Sequence, residues 1–266
     1  MSFLRVEYFS MSLFRTTEYG AFIPDDTNPE EIKDNIHYKR QMKTLVLLHG
    51  YGGRYNDWIT GCSIAEMSRK YNLAILLPCG DNSFYIDREE TGAAYGTFVS
   101  CALLRHARKL FHLSEKREDT FIGGYSMGGF GAIRNGLMQS DTYSKIIGLS
   151  NALVMYMLPE LNATNGNELA NLQFYDRIFG KPEEAEKSDR HPEHLINEHL
   201  REDRDLPQMY FTCGTEDFLI NENRRWHKFL DDNKVAHVYL EDAGIHDWEF
   251  WNKSIEPAIK WLTAED

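Results

Sequence analysis

Basic residues are outnumbered in this sequence: 29 lysines and arginines face 41 aspartates and glutamates, a formal net charge of −12. Such a field repels a polyanion, and no Lys/Arg-rich run offers a local exception, so nucleic acid is not expected as a partner. Long apolar runs are missing too. No segment approaches the ~20 consecutive apolar residues that span a bilayer. The opening residues, Met1-Ser2-Phe3-Leu4-Arg5-Val6-Glu7-Tyr8, carry charge where an export signal needs an apolar stretch. A cytoplasmic protein without membrane association is therefore expected. Cysteine is sparse: Cys62, Cys79, Cys101 and Cys213 show no C-x-x-C spacing. Neither a zinc site nor a disulfide framework is expected, only reduced thiols, buried or half-buried. Repeats and low-complexity tracts are absent.

What is present alternates between two periods. Residues 3 to 9 and 12 to 23 are rich in β-branched and aromatic types at period two and predict an antiparallel pair at one edge of a sheet. Lys43-Thr44-Leu45-Val46-Leu47-Leu48 and Leu73-Ala74-Ile75-Leu76-Leu77 are short continuous apolar runs, the signature of strands buried on both faces. Helices are predicted between about 57 and 71 and between about 96 and 111. Further strands are predicted at 120–122, 145–150, 208–213 and 237–240, which brings the count to eight, with helical crossovers joining the later ones. This pattern predicts an α/β fold: an eight-stranded, mostly parallel sheet with helices on both faces, built from residues 1–266 as one domain. Residues 151–205 break the rhythm by inserting more than fifty residues of charged, amphipathic sequence between two core strands. So long a connection predicts a helical cap over the C-terminal edge of the sheet, where open α/β folds place their ligands.

The organising stretch is Gly123-Gly124-Tyr125-Ser126-Met127-Gly128-Gly129-Phe130-Gly131, with an apolar run before it and a helical pattern after it. Within it lies the G-x-S-x-G elbow pattern, which holds a serine on a sharp strand-to-helix turn. Side chains at the two glycines would collide across so tight a turn. A serine is a poor nucleophile at neutral pH, so the chemistry requires a histidine to take its proton and a carboxylate to orient that histidine. In this fold both partners come later, each on a loop just after a core strand. Asp217 follows the strand 208–213, with adjacent Glu216 as its rival, and His246 lies between the strand 237–240 and the last helix. His191, His194 and His199 follow no recurring ligand spacing, and His49 fits a structural hydrogen-bonding role better than that of a second base. No metal is expected.

Such an arrangement also needs two backbone N–H groups aimed at the developing oxyanion. Met127, directly after the serine, supplies one, and Gly50-Tyr51-Gly52-Gly53 supplies the other, through Tyr51 or, alternatively, Gly52. Trp58, Phe84, Tyr85, Phe218 and Trp248 fall on or near loops at the same edge and are candidates to line a pocket.

These residues carry a resemblance. His49-Gly50-Tyr51-Gly52-Gly53 with Trp58, Gly124-Tyr125-Ser126-Met127-Gly128-Gly129, Cys213-Gly214-Thr215-Glu216-Asp217 and Gly244-Ile245-His246-Asp247-Trp248 with Trp251 resemble the esterase D/S-formylglutathione hydrolase-like group of α/β-hydrolases. The similarity is strongest to bacterial tributyrin esterases and feruloyl-type esterases, and it runs over nearly the whole chain. The resemblance implies a cofactor-free serine carboxylesterase with Ser126 as nucleophile, Asp217 as orienting acid, His246 as base, and Tyr51 and Met127 as oxyanion donors. A small-molecule ester, either short-chain acyl or hydroxycinnamoyl, is the implied substrate. Tyr125 and Phe130 stand where S-formylglutathione hydrolases usually carry histidine, a departure that counts against a glutathione thioester as the substrate. A thioesterase, a deacetylase of acetylated carbohydrate and a catalytically silent binding module are the alternatives, and self-association into a homo-oligomer is left open.

Overall fold

A computed structural model describes residues 1–88, 91–160 and 171–264. Strand β1 (Ser2–Ser10) alternates half-buried and exposed side chains, as a strand does when only one of its faces is covered. It pairs antiparallel with β2 (Arg15–Ile23), in register from Ser2 opposite Ile23 to Ser10 opposite Arg15. In β3 (Lys43–Leu48) five of six residues are buried, and β4 (Leu73–Pro78) is buried throughout. A two-residue pair, β5 (Asp87–Arg88) and β6 (Ala93–Ala94), stands apart from the main sheet. Four more strands complete that sheet: β7 (Thr120–Tyr125), β8 (Lys145–Leu149), β9 (Gln208–Gly214) and β10 (Val238–Asp242).

The eight strands run in the order β1-β2-β4-β3-β7-β8-β9-β10. The pairs from β4 to β10 are all parallel, and β2 joins them antiparallel. The pleat divides each apolar run between two layers. Val46 and Leu48 enter a core with Phe130, Ile133 and Leu137 of helix Met127–Met138, whereas Leu45 and Leu47 enter a second core with Met67 and Tyr71 of helix Ile64–Tyr71 and Ile255 and Ile259 of helix Trp248–Thr263. Helices therefore cover both faces. β10 is the far edge, and its last three residues are exposed.

The helix expected over 57–71 is two, Asp57–Gly61 and Ile64–Tyr71, with Cys62 extended between them. Gly61, the last residue of the first helix, packs against Trp248, where a Cβ would lie 2.3 Å from the ring. The helix expected over 96–111 is interrupted as well, by a π-helical turn at Phe98–Ala102 ahead of Leu103–Phe111. Between β8 and β9 the insertion forms the helices Leu172–Phe179, Pro182–Ala185 and Pro192–Arg201. Residues 161–170 of the proposed cap lie outside the described residues. Helix Pro192–Arg201 is tied to helix Met127–Met138, where His199 Nε2 donates to the Leu137 carbonyl at 2.9 Å. Among the described residues no helix is long and apolar enough to cross a membrane.

Because β3, β7, β9 and β10 are parallel, the loops that follow them share one edge of the sheet. That common edge gathers Gly50–Gly53, Ser126, Asp217 and His246.

Candidate active site

Ser126 joins the end of β7 to helix Met127–Met138 with φ 53 and ψ −120, a conformation that costs an L-residue energy and persists only where its surroundings impose it. Its N–H donates to the Leu149 carbonyl at 2.9 Å, and its own carbonyl accepts from Phe130 N–H at 3.1 Å and Ala152 N–H at 3.0 Å. The glycines permit the crowding: a Cβ on Gly124 would lie 2.5 Å from backbone atoms of Gly128, and one on Gly128 would lie 2.4 Å from the Leu48 carbonyl oxygen. The strand-turn-helix thus presses against β3, and only residues without side chains fit.

Ser126 Oγ lies 3.0 Å from His246 Nε2. On the other side of the ring, His246 Nδ1 is 3.0 and 2.9 Å from the two carboxylate oxygens of Asp217. A carboxylate only accepts, so Nδ1 carries a proton and Nε2 is left to accept from the serine hydroxyl. Asp217 is 2% exposed. Burial pushes its carboxyl up, but the His246 hydrogen bond and its charge, with the Leu219 N–H at 2.9 Å, outweigh burial and hold it below the ordinary value. The imidazole sits between the ring of Trp251, edge-on at 4.9 Å, and that of Phe218, tilted at 4.5 Å. Trp251 is itself fixed by its indole N–H donating to Ser150 Oγ.

Adjacency in sequence leaves Glu216 and Asp217 as alternatives, and the fold separates them. Glu216 Oε2 accepts from Gly244 N–H and Thr215 Oγ1, both at 2.8 Å, so its carboxylate fastens the loop that carries His246. Asp217 alone reaches the ring.

The loop after β3 is a β-turn closed by Gly53 N–H donating to the Gly50 carbonyl at 3.1 Å, with Gly52 at φ +74 as the third position of a type II turn requires. Gly52 N–H donates to Asn82 Oδ1 at 2.7 Å. Met127 is the first residue of its helix, so its N–H has no acceptor within the helix. His49 is locked below this loop: Nδ1 donates to the Gly50 carbonyl at 2.8 Å and Nε2 accepts from Gly80 N–H at 2.8 Å. Burial lowers its pKa and favours this neutral form, so the ring braces two loops.

The Esterase family model matches residues 28–262. An acetyl esterase of Caldicellulosiruptor saccharolyticus is 39% identical over 263 residues, 99% of this chain and 98% of that protein. The chain belongs to this esterase family. Among solved structures, the S-formylglutathione hydrolase FrmB of Staphylococcus aureus is similar at a TM-score of 0.83 and 26% identity, over 99% of both chains. The fluorophosphonate-binding serine hydrolase FphF of the same organism is similar in fold at 0.83 and 24%, again over 99% of both. The protein is a carboxylic ester hydrolase with the α/β-hydrolase fold.

In this esterase the five aromatic side chains proposed to line a pocket divide. Phe218, 71% exposed, stands open beside His246. Trp248 is half-buried against Trp58, Tyr125 and Trp251. Trp58 and Tyr85, both 0% exposed, and Phe84, at 2%, are packing residues and offer a substrate almost no surface. Trp58 Nε1–H donates to the Leu48 carbonyl at 3.0 Å, and Tyr85 Oη–H donates to the His49 carbonyl at 3.0 Å. They brace the loops from beneath. We expect Trp58→Phe to cost about 1–3 kcal/mol through the unsatisfied carbonyl, a fall in Tm of roughly 2–4 °C per kcal/mol at this chain length. KM should be unchanged; a shifted KM at constant Tm would return Trp58 to the pocket.

Sequence reasoning missed the aromatic group that does stand over the turn. Phe174 meets Tyr51 edge-on at 5.4 Å, and Tyr175 and Phe179 pack on Phe84 at 6.1 and 5.1 Å. The apolar face of helix Leu172–Phe179 was the available signal. A buried amide pair was also missed. Asn223 Oδ1 accepts from the Asn151 backbone and side-chain N–H groups at 3.1 and 2.9 Å, and Asn223 Nδ2 donates back to the Asn151 carbonyl at 3.0 Å. It joins the segment after β8, which bonds Ser126, to helix Ile220–Asp232 beside Asp217.

Proposed function

We propose that this esterase hydrolyses short-chain, acetyl-type esters through an acyl-enzyme on Ser126. The observation that carries the reading is the continuous chain Ser126 Oγ, His246, Asp217, with links of 3.0, 2.9 and 3.0 Å. As Ser126 Oγ attacks the ester carbonyl, its proton passes to His246 Nε2, and Asp217 stabilises the imidazolium that forms. The Oγ–C bond forms and the carbonyl oxygen becomes an oxyanion, held by the N–H groups of Met127 and Tyr51. Collapse breaks the bond to the alcohol oxygen, which leaves with the proton from His246. Water, deprotonated by the same imidazole, then attacks the acyl-enzyme and releases the acid. Tyr51 is taken as the second donor in this reading, with Gly52, the next residue of the same turn, as the alternative.

Two observations favour a small acyl group. Trp58, Phe84 and Tyr85 fill the interior instead of walling a cavity, and the relative from Caldicellulosiruptor saccharolyticus is an acetyl esterase. Residues 151–205 act as a cap in this reading, since helix Leu172–Phe179 sets Phe174 against Tyr51, and exposed Phe218 offers a face to the alcohol portion. The test is a panel of nitrophenyl acetate, butyrate and octanoate, methyl ferulate and an acetylated sugar. We expect kcat/KM for octanoate to lie at least ~10-fold below that for acetate, the discrimination a few misfitting methylenes provide. Preference for octanoate or ferulate would overturn the acyl assignment while leaving ester hydrolysis intact.

A further inference from the structure

At the end of the sheet remote from Ser126, two imidazoles face each other. His227 Nδ1, on helix Ile220–Asp232, lies 2.7 Å from Nε2 of His237, which immediately precedes β10. The proton arrangement at His237 follows from its neighbour. Nδ1 is 2.8 Å from the Val235 carbonyl, which can only accept, so Nδ1 carries the proton and Nε2 presents a lone pair. A carboxylate joins them one helical turn on. Asp231 Oδ2 is 3.4 Å from His227 Nε2, and Asp231 Oδ1 is 3.9 Å from His237 Nε2. One ligand atom from each of the three side chains lies within 4.8 Å of the others.

The surroundings hold these side chains in place. The His237 side chain is 3% exposed. Tyr239 stacks on the His227 ring at 4.4 Å and 18°, and its hydroxyl donates to Glu241, which Arg224 grips with two hydrogen bonds of 2.9 and 2.7 Å. A carbonyl that fixes the tautomer of one histidine and neighbours that fix the plane of the other are what ligating imidazoles ordinarily have around them. Asp231, 61% exposed, leaves a solvent route to the group.

We propose that His227, Asp231 and His237 form a binding site for one divalent transition-metal ion of the zinc type. In a tetrahedral zinc site, with nitrogen ligands at about 2.0–2.1 Å, two imidazole nitrogens stand roughly 3.3 Å apart. The pair here needs to open by only about half an ångström to admit the ion, which takes the place of the proton between the rings. Two imidazoles and one carboxylate suit zinc, nickel or copper(II); calcium and magnesium favour all-oxygen sets. Water completes the coordination on the exposed side. The ion clips helix Ile220–Asp232, whose N-terminal end adjoins Asp217, to β10, whose C-terminal end leads to His246, so its role is structural. Sequence spacing alone hides the group, because His227 and Asp231 share a helix face while His237 arrives across the turn that follows.

The experiment is calorimetric titration of the chelator-treated protein with zinc ion alone, with thermal unfolding in parallel and cobalt(II) as a visible-absorption probe. We expect one zinc per chain and a Tm that rises with zinc concentration. His227→Gln and Asp231→Asn should each weaken zinc binding at least tenfold and alter the cobalt spectrum, while ester hydrolysis without added metal stays at the wild-type rate. His237→Ala should abolish binding; if that variant fails to fold, the two partly exposed positions carry the test. Absence of zinc binding at submillimolar concentration shows the pair to be a hydrogen bond between two rings and overturns the site. Zinc binding that neither substitution weakens places the ion elsewhere and overturns it equally.

Discussion

Ser126→Ala is expected to lower kcat by about 10⁶, the loss seen when the nucleophile of a comparable triad is removed. The variant deletes one atom, Oγ, and leaves the Cβ, so the turn at φ 53 keeps its two carbonyl contacts with Phe130 and Ala152. Thermal stability should therefore stay within about 1.5 kcal/mol of wild type, the scale of the one hydrogen bond to His246 Nε2 that is lost. Residual turnover about 10³–10⁴ above the uncatalysed rate should persist from the oxyanion donors and binding. Wild-type turnover in this variant on nitrophenyl acetate would falsify the assignment of Ser126. Mass spectrometry of wild type quenched during turnover offers an orthogonal reading, since the acyl group should be found on the peptide containing Ser126 and be absent from the variant.

The main sheet was legible because its central strands are buried on both faces. Leu45-Val46-Leu47-Leu48 and Leu73-Ala74-Ile75-Leu76-Leu77 admit no polar residue, and few structures other than a covered parallel sheet accept so short a run. Ser126, Asp217 and His246 could be placed because each lies on the turn or loop that follows a strand of the sheet, β7, β9 and β10, and their side chains do meet. Side-chain direction was not legible. Phe84 and Tyr85 sit on a loop where pocket residues belong and Trp58 on the short helix after β3, yet all three point inward, and spacing cannot tell a residue that plugs the core from one that faces solvent. Tyr85 illustrates the reason: its ring fills the space against Gly80 and Gly131, where added Cβ atoms would lie 2.2 and 2.4 Å from it. That complementarity lies between segments about fifty residues apart. The same limit hid the close packing of Gly61 on Trp248 and the pairing of Asn151 with Asn223.

Asp217→Asn should reduce kcat by about 10⁴ while leaving KM and the fold largely intact. The amide is nearly isosteric with the carboxylate, but its nitrogen donates where the carboxylate accepts. Turned toward His246 Nδ1, it places the ring proton on Nε2, and Nε2 can then no longer accept from Ser126 Oγ. Glu216→Gln is the matched control, because Glu216 binds Gly244 and Thr215 and does not touch the ring; its kcat should stay within about tenfold of wild type, the scale of a shifted loop as opposed to a lost triad member. A stability difference accompanies the kinetic one, and its sign follows from the direction of the Asp217 shift. The carboxyl is held below its usual value in the folded protein, whereas in the unfolded chain it titrates near about 3.9. Ionised Asp217 therefore stabilises the fold fully above that unfolded value, and the contribution is lost as pH falls through the lower folded value. Urea unfolding of wild type and Asp217→Asn should differ most near neutral pH and converge as pH drops below about 4. A gap that stays constant down to pH 3 would mean that the folded-state carboxylate is not held by His246, and the tautomer argument for the kinetic loss would fail with it.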